Sequence, residues 1–252
     1  MSRTGAYRVG LIVPSSNVTM ETEIPAMIRG RPPLYDERFS FHSSRMRMSE
    51  VTPEELQRMD EQSEHCAVEL SDARCDVLAY ACLIGIMAQG PGYHEESEAK
   101  LRKAAAENGG DAPVVTSAGA LVRAFDTLDA QQVAVITPYI EDLTDTVVEY
   151  FEGEGVNVLD SVSLECPDNL EVARLDPANL LNHMDDLDHA DADAVVLSSC
   201  VQMPSLSAVQ AAEDRLGKPV LSASVATTYD ILTSLGRSPR IEGAGTLLSG
   251  GV

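Results

Sequence analysis

Lysine is nearly missing from this chain. Lys100, Lys103 and Lys218 are its only three, and with arginine they supply 18 cations against 40 acidic residues, a formal net charge of −22. So lopsided a balance repels nucleic acid and anionic membrane surfaces and excludes both as partners. No apolar run approaches the roughly 18 residues of a membrane helix. The opening "MSRTGAYRVG" passes almost at once into a strand and leaves no room for a secretion leader, so a cytoplasmic location is expected. The C-x-x-C pair of zinc and redox sites is missing too. The five cysteines, Cys66, Cys75, Cys82, Cys166 and Cys200, are an odd set that fits reduced thiols better than a disulfide framework. No two of His42, His65, His94, His183 and His189 stand at a metal-ligand helix spacing, so no metal is expected. The turn after the first strand reads "PSSN" where a dinucleotide-binding protein carries glycines, and no P-loop occurs. The small-residue stretches "SAGALVR" and "GAGTLLSGGV" lack the P-loop lysine, and no cofactor is expected.

Acidic surfaces short of lysine are typical of proteins from high-salt cytoplasms, where screening relieves like-charge repulsion. A halophilic protein is therefore expected over an ordinary acidic one. Whatever anion such a chain binds, it must hold through local donors.

Against these absences stand 252 residues that are 44% hydrophobic, enough for two domains of about 120 residues each or one large one. Short apolar runs alternate with longer amphipathic ones. "YRVGLIV", "RFSFHSS", "DVLAYAC", "APVVTSA", "QVAVITP", "VNVLDSVSL", "DAVVLSS" and "KPVLSAS" read as strands. The stretch from Thr52 to Ala73, "HEESEAKLRKAAAENGG", "ALVRAFDTLD", "IEDLTDTVVEYFEGEG", "PANLLNHMDDLDHAD" and "SLSAVQAAEDRLG" read as helices. That alternation predicts an α/β fold with parallel sheets.

The chain also repeats itself. "YRVGLIVP" answers "QQVAVITP", "DVLAYAC" answers "AVVLSSC", and "APVVTSAGALVRAFDTL" answers "KPVLSASVATTYDILTSL", in the same order. Two similar Rossmann-like parallel-sheet domains related by a pseudo-twofold axis are expected, with the active site in the cleft between them. The first half spans 1–118, joined by 224–252, and the second spans 119–223. Ligands of parallel α/β sheets bind outside the carboxyl ends of the strands. Cys82 in "YACLIGIM" and Cys200 in "LSSCVQMPSL" both end strands there, each just before an expected helix start.

One buried cysteine is an ordinary core filler. Two at equivalent positions of a repeat suit paired work on opposite sides of a substrate, one adding a group while the other moves a proton. A cysteine at the first turn of a helix also feels free N–H groups and the positive end of the dipole, which favour the thiolate. The backbone N–H groups of Leu83 and Ile84, and of Val201 and Gln202, are expected to form an anion-binding nest at each helix start. Cys66 falls within a helix, Cys75 before a strand, and Cys166 at a strand end near Asn169.

At these residues the sequence resembles the Asp/Glu racemase superfamily and, within it, the maleate cis-trans isomerases. "VGLIVPSSNVTMETEIP", "FHSSRMRM", "YACLIGIM", "TPYIEDL", the pair Asp168 and Asn169, and "SSCVQMPSL" carry the resemblance across nearly the whole chain. The superfamily also holds aspartate, glutamate and hydantoin racemases, which keep both cysteines, and arylmalonate decarboxylase, which lacks the first-half cysteine. Cys82 weighs against the last.

The resemblance implies cofactor-independent isomerisation of maleate to fumarate. Cys82 attacks the double bond to give a succinyl-cysteine, and Cys200 acts as proton donor and then acceptor. Asn17, Tyr139 and Asn169 match the family's carboxylate-binding positions. Read without the resemblance, Asn17 is a helix N-cap before "VTMETE", Tyr139 packs a loop and Asn169 makes an Asx turn. Arg45 and Arg47 either reach the substrate or pair with the acidic surface, and the second is expected. Partners expected are a small dicarboxylate and a second copy of the chain. A two-cysteine racemase and a non-catalytic dicarboxylate-binding module remain the alternatives.

Overall fold

The computed structural model describes residues 5–48 and 51–251. Residues 1–4 of the expected first half and residue 252 of the expected closing segment lie outside the described residues. The chain runs as β1 (Tyr7–Pro14), α1 (Met20–Arg29), β2 (Phe39–Met46), α2 (Pro53–Asp72), β3 (Val77–Tyr80), α3 (Leu83–Met87), α4 (Tyr93–Glu107), β4 (Val114–Thr116) and α5 (Ser117–Thr127). The second passage runs β5 (Gln132–Thr137), α6 (Glu141–Gly153), β6 (Asn157–Ser163), α7 (Asn169–Val172), α8 (Leu180–His183), β7 (Ala194–Ser198), α9 (Leu206–Leu216), β8 (Val220–Ser222) and α10 (Ala223–Ser234).

Among the described residues the strands form two four-stranded sheets, ordered β2-β1-β3-β4 and β6-β5-β7-β8, with every pairing parallel. The orders are the same when the second passage is laid on the first, and so the sequence repeat is a repeat of topology. The fold is α/β with two Rossmann-like sheets, as the alternation and the repeat predict. Central strands read as continuous apolar runs because helices cover both faces. β3 is buried at every position, whereas the edge strand β6 is half-exposed along most of its length.

Local chemistry repeats as well. Thr116 accepts a hydrogen bond from Gly119 N–H at 3.0 Å to start α5, and Ser222 accepts one from Val225 N–H at 3.3 Å to start α10. These equivalent helices lie against each other, and α10 also touches α1, β3 and β4. Arg123 of α5 donates to Asp230 of α10 at 2.6 Å and to Glu98 of α4 at 2.7 Å. Phe125 of α5 meets Phe151 of α6 edge-on, ring centres 5.1 Å apart. The helix start expected at Thr52 is real, its hydroxyl accepting from Glu55 N–H at 3.3 Å.

One expected helix breaks up. "PANLLNHMDDLDHAD" folds as a 3₁₀ turn (Pro177–Asn179), the single turn α8, and another 3₁₀ turn (Met184–Asp186). Asn179, Asn182, His183, Asp185 and Asp186 are poor helix formers, and they crowd acidic charge toward the end where the dipole disfavours it.

Candidate active site

Parallel strands bring their carboxyl ends to one edge of each sheet, and there the loops after β1, β3, β5 and β7 carry Asn17, Cys82, Tyr139 and Cys200. The two cysteines are 2% and 4% exposed. Cys82 stands at the N-cap of α3, as expected, with its sulfur beside Tyr80 Oη and the α-carbon of Gly85. Cys200 departs from expectation. Residues 201–203 bend, and α9 begins only at Leu206. Pro204 is the cause, because the residue before a proline is pushed out of the helical region. Val201 and Gln202 therefore form no helix-start nest. Gln202 N–H instead turns back on the Cys200 sulfur at 3.3 Å.

The dipole argument for a resting thiolate also yields to burial. Loss of solvent pushes the Cys82 thiol up to about 12, with Cys200 and Asp60 opposing its ionisation further and Gly85 N–H offsetting only part. Cys82 makes no close capping hydrogen bond to α3 that would reverse this. Cys200 is raised by burial too, but more groups work the other way: the Tyr139 hydroxyl and the N–H groups of Gln202 and Met203. Burial holds Tyr139 well above its ordinary value, so it remains a phenol beside both sulfurs.

The remaining predicted groups are drawn together, and they satisfy one another. Asn17, 1% exposed, accepts from Met20 N–H at 3.1 Å, which is the expected capping role, and donates across to Val201 O at 3.0 Å. Asn169 Nδ2 reaches Ser16 Oγ at 2.6 Å, while the adjacent Asp168, not Asn169, makes the turn that starts α7. Gln202 Nε2 donates to Ser16 O at 3.0 Å and Asn169 O at 3.1 Å, leaving its own Oε1 buried without a partner. Arg45 ties the 15–17 loop down through the carbonyls of Ser15 and Asn17 and pairs with Glu21. Arg47 is exposed and meets Gln62 through its backbone. Leu83 and Ile84 are buried in the first turn of α3.

A groove of about 550 Å³ runs between Ser16, Met48, Thr52 and the Pro167–Leu170 segment. A tighter cavity of about 60 Å³ continues beneath Asn169 to Tyr139 and Cys166. Asn169 lines both, and Tyr139, which lines the tighter one, neighbours the Cys200 sulfur.

The arrangement has close counterparts. A family model described as arylmalonate decarboxylase (Amdase) matches residues 9–248. A maleate isomerase of Geobacillus stearothermophilus is 60% identical over 97% of this chain and 98% of its own. The chain belongs to this family, among its maleate isomerases. A crystal structure of the Pseudomonas putida S16 maleate isomerase, a cysteine-to-alanine variant with maleate, superposes with a TM-score of 0.96 at 53% identity, covering 98% of this chain and 99% of that one. A Nocardia farcinica maleate cis-trans isomerase, a cysteine-to-serine variant with a covalently bound succinylcysteine, superposes with a TM-score of 0.93 at 46% identity over 97% and 98%.

Within this maleate isomerase framework Gly85 is a constraint that sequence reading passed over. A β-carbon there would sit 2.7 Å from Met59 Cε, 3.1 Å from Cys82 Sγ and 3.3 Å from Tyr80 Oη. The methionine can swing away, but the buried sulfur and phenol cannot. Gly85→Ala is expected to cost about 1–3 kcal/mol in denaturant unfolding and to lower turnover by displacing Cys82. Unchanged stability together with unchanged turnover would show that the sulfur has room to spare. Ser16, Thr19 and Glu23 were also passed over, although each makes a contact with the second half.

Proposed function

We propose that this chain isomerises maleate to fumarate without a cofactor, through a succinyl-cysteine on Cys82. The observation that carries the reading is the unequal equipment of two buried thiols that meet beside one tyrosine. Rotation about the double bond is forbidden until its π component is broken, and a thiolate is a soft nucleophile suited to conjugate addition. Cys82, once ionised, bonds to C2 and Cys200 gives its proton to C3, leaving a single bond and a Cys200 thiolate. After rotation that thiolate takes a proton back from C3, the carbon–sulfur bond breaks, and fumarate leaves with both sulfurs restored. During the intermediate the negative charge resides on Cys200. There Tyr139 and the N–H groups of Gln202 and Met203 stabilise it, whereas Cys82 is then a neutral thioether.

Asn17, Asn169 and Gln202, with the backbone N–H groups of Leu83, Ile84 and Val201, are the donors assigned to the two carboxylates, and Tyr139, with one O–H to give, serves a carboxylate on binding and the Cys200 thiolate once it forms. Their hydrogen bonds around Ser16 and Val201 support this convergence, and a dianion offers a stronger acceptor than the carbonyls and hydroxyl they now serve. The division at 118/119 and 223/224 belongs to the same reading, supported by the packing of α10 on α1, β3 and β4. Incubation with maleate in concentrated salt, followed by proton NMR, is expected to show the maleate vinyl signal replaced by that of fumarate. Bound but unchanged maleate would favour a dicarboxylate-binding module.

All five cysteines are free thiols, which supports a cytoplasmic setting, and no helix among the described residues is long and apolar enough to cross a membrane. A light-scattering mass twice the chain's 27.0 kDa is the expected sign of the homodimer. The charge of −22 supports salt adaptation. The melting temperature is expected to rise between low and multimolar potassium chloride as like charges are screened. A flat or falling curve would overturn the halophilic reading and leave the enzymatic one intact.

A further inference from the structure

α9 is an eleven-residue helix whose N-cap, Ser205, makes no capping bond of its own. The backbone N–H groups of Ser205 and Leu206 donate instead to Oε1 of Glu23, at 2.7 and 2.8 Å. Glu23 belongs to α1 in the first half and is 8% exposed. Its other oxygen accepts from Ser205 Oγ at 3.4 Å and from Ser224 Oγ on α10. A carboxylate from one half thus caps the helix that follows the second-half thiol. The intervening segment is gripped from the same source, with Asn17 Nδ2 on Val201 O at 3.0 Å and Thr19 Oγ1 on Gln202 O at 2.7 Å.

The repeat returns the device in mirror roles. α4 follows Cys82 in the first half, and its start is held from the C-terminal end of α6, the counterpart of α1, by Tyr150 of that helix and by Glu154 just past it. Gly92 N–H donates to Glu154 Oε1 at 2.5 Å, and His94 meets Tyr150 Oη through its backbone N–H at 3.4 Å and its Nδ1 at 2.7 Å. Each half therefore holds the element downstream of the other half's cysteine. A packing interface has no need of charged caps placed at those two points, and proton transfer between fixed atoms does, since an ångström of drift costs rate steeply.

We infer that Glu23 is a positioning residue for Cys200: by capping α9 across the two halves it fixes the Cys200–Ser205 segment, and with it the distance from the Cys200 sulfur to a substrate bonded to Cys82. The inference rests on the two-thiol isomerisation proposed above. Glu23→Gln keeps an oxygen for the two N–H groups and an amide for the two hydroxyls, which can turn to accept. Glu23→Ala removes the cap, and Glu23→Asp keeps the charge but stops a methylene short.

The test is steady-state turnover of maleate by wild type and the three variants, with intact-protein mass spectrometry. The alanine and aspartate variants are expected to lose about tenfold or more in kcat with KM within about threefold, and the glutamine variant to recover most of it. In the two impaired variants a succinyl adduct should accumulate on Cys82, because removing the C3 proton depends on the Cys200 thiolate more strictly than delivering it does. A plain structural staple would lower the melting temperature of all three without that split and without the adduct. Wild-type kcat in Glu23→Asp or Glu23→Ala, or a loss that Gln does not relieve, overturns the inference. Should the alanine variant fail to fold, the aspartate and glutamine pair decides. A wild type that makes no fumarate overturns the isomerase reading. The inference then stands or falls on alkylation of Cys200 by iodoacetamide, mapped by peptide, which Glu23→Asp must accelerate relative to Glu23→Gln.

Discussion

Cys82→Ser is expected to remove fumarate production, by roughly 10⁴-fold or more, the scale of loss when a catalytic nucleophile is deleted. Cys82 is already held up to about 12 by burial, so at neutral pH its thiolate is on the order of one part in 10⁵. A serine hydroxyl starts several units higher and meets the same desolvation, so no useful alkoxide forms. The same electrostatics gives a pH signature in the unaltered protein. Because the shift is upward, the reactive form grows with pH and has no plateau below the raised value. Alkylation of Cys82 by iodoacetamide should therefore climb about tenfold per pH unit between neutrality and pH 10, where an ordinary thiol levels off near 9. Peptide mapping separates it from half-buried Cys166. Retained isomerisation by the serine variant would make Cys82 a packing residue and end the covalent reading.

The sheets were legible because buried parallel strands announce themselves as short apolar runs, and the repeat doubled the signal at Cys82 and Cys200. What sequence hid was hidden by tertiary physics. Pro25 inside α1 disguises that helix. Pro204 delays α9, so two cysteines alike in sequence differ in structure: one stands at a helix N-cap, the other just before the bend at 201–203. Helix-start logic favours the thiolate, but it assumes access to water, and the burial of both sulfurs reverses the sign. Glu23 reads as one more acid in a chain with 40 of them, and its role exists only once α9 and α10 are folded against it. Asn17 was legible as the group that meets the start of α1, but the donation of its other amide end to Val201 O depends on the folded second half and was not.

Cys200→Ser should behave oppositely to Cys82→Ser, leaving the nucleophile in place and trapping its product. Addition needs a proton delivered to C3, and a serine hydroxyl supplies it slowly. Elimination needs that proton removed again by a base, and the site then offers none. The Tyr139 hydroxyl is pinned as a phenol by burial, and the N–H donors of Gln202 and Met203 that steadied a thiolate cannot abstract a proton. The succinyl-cysteine should therefore accumulate while fumarate release falls by about 10³-fold or more. Intact-protein mass spectrometry after maleate treatment should show the mass of one added maleate, located on the peptide carrying Cys82 and absent from Cys82→Ser. The succinylcysteine captured in the Nocardia farcinica cysteine-to-serine variant has the same chemical form. An adduct on Cys200 in Cys82→Ser would exchange the two roles, and it would mean that the tyrosine and N–H donors around Cys200 serve to prime a nucleophile rather than to shelter a spent acid.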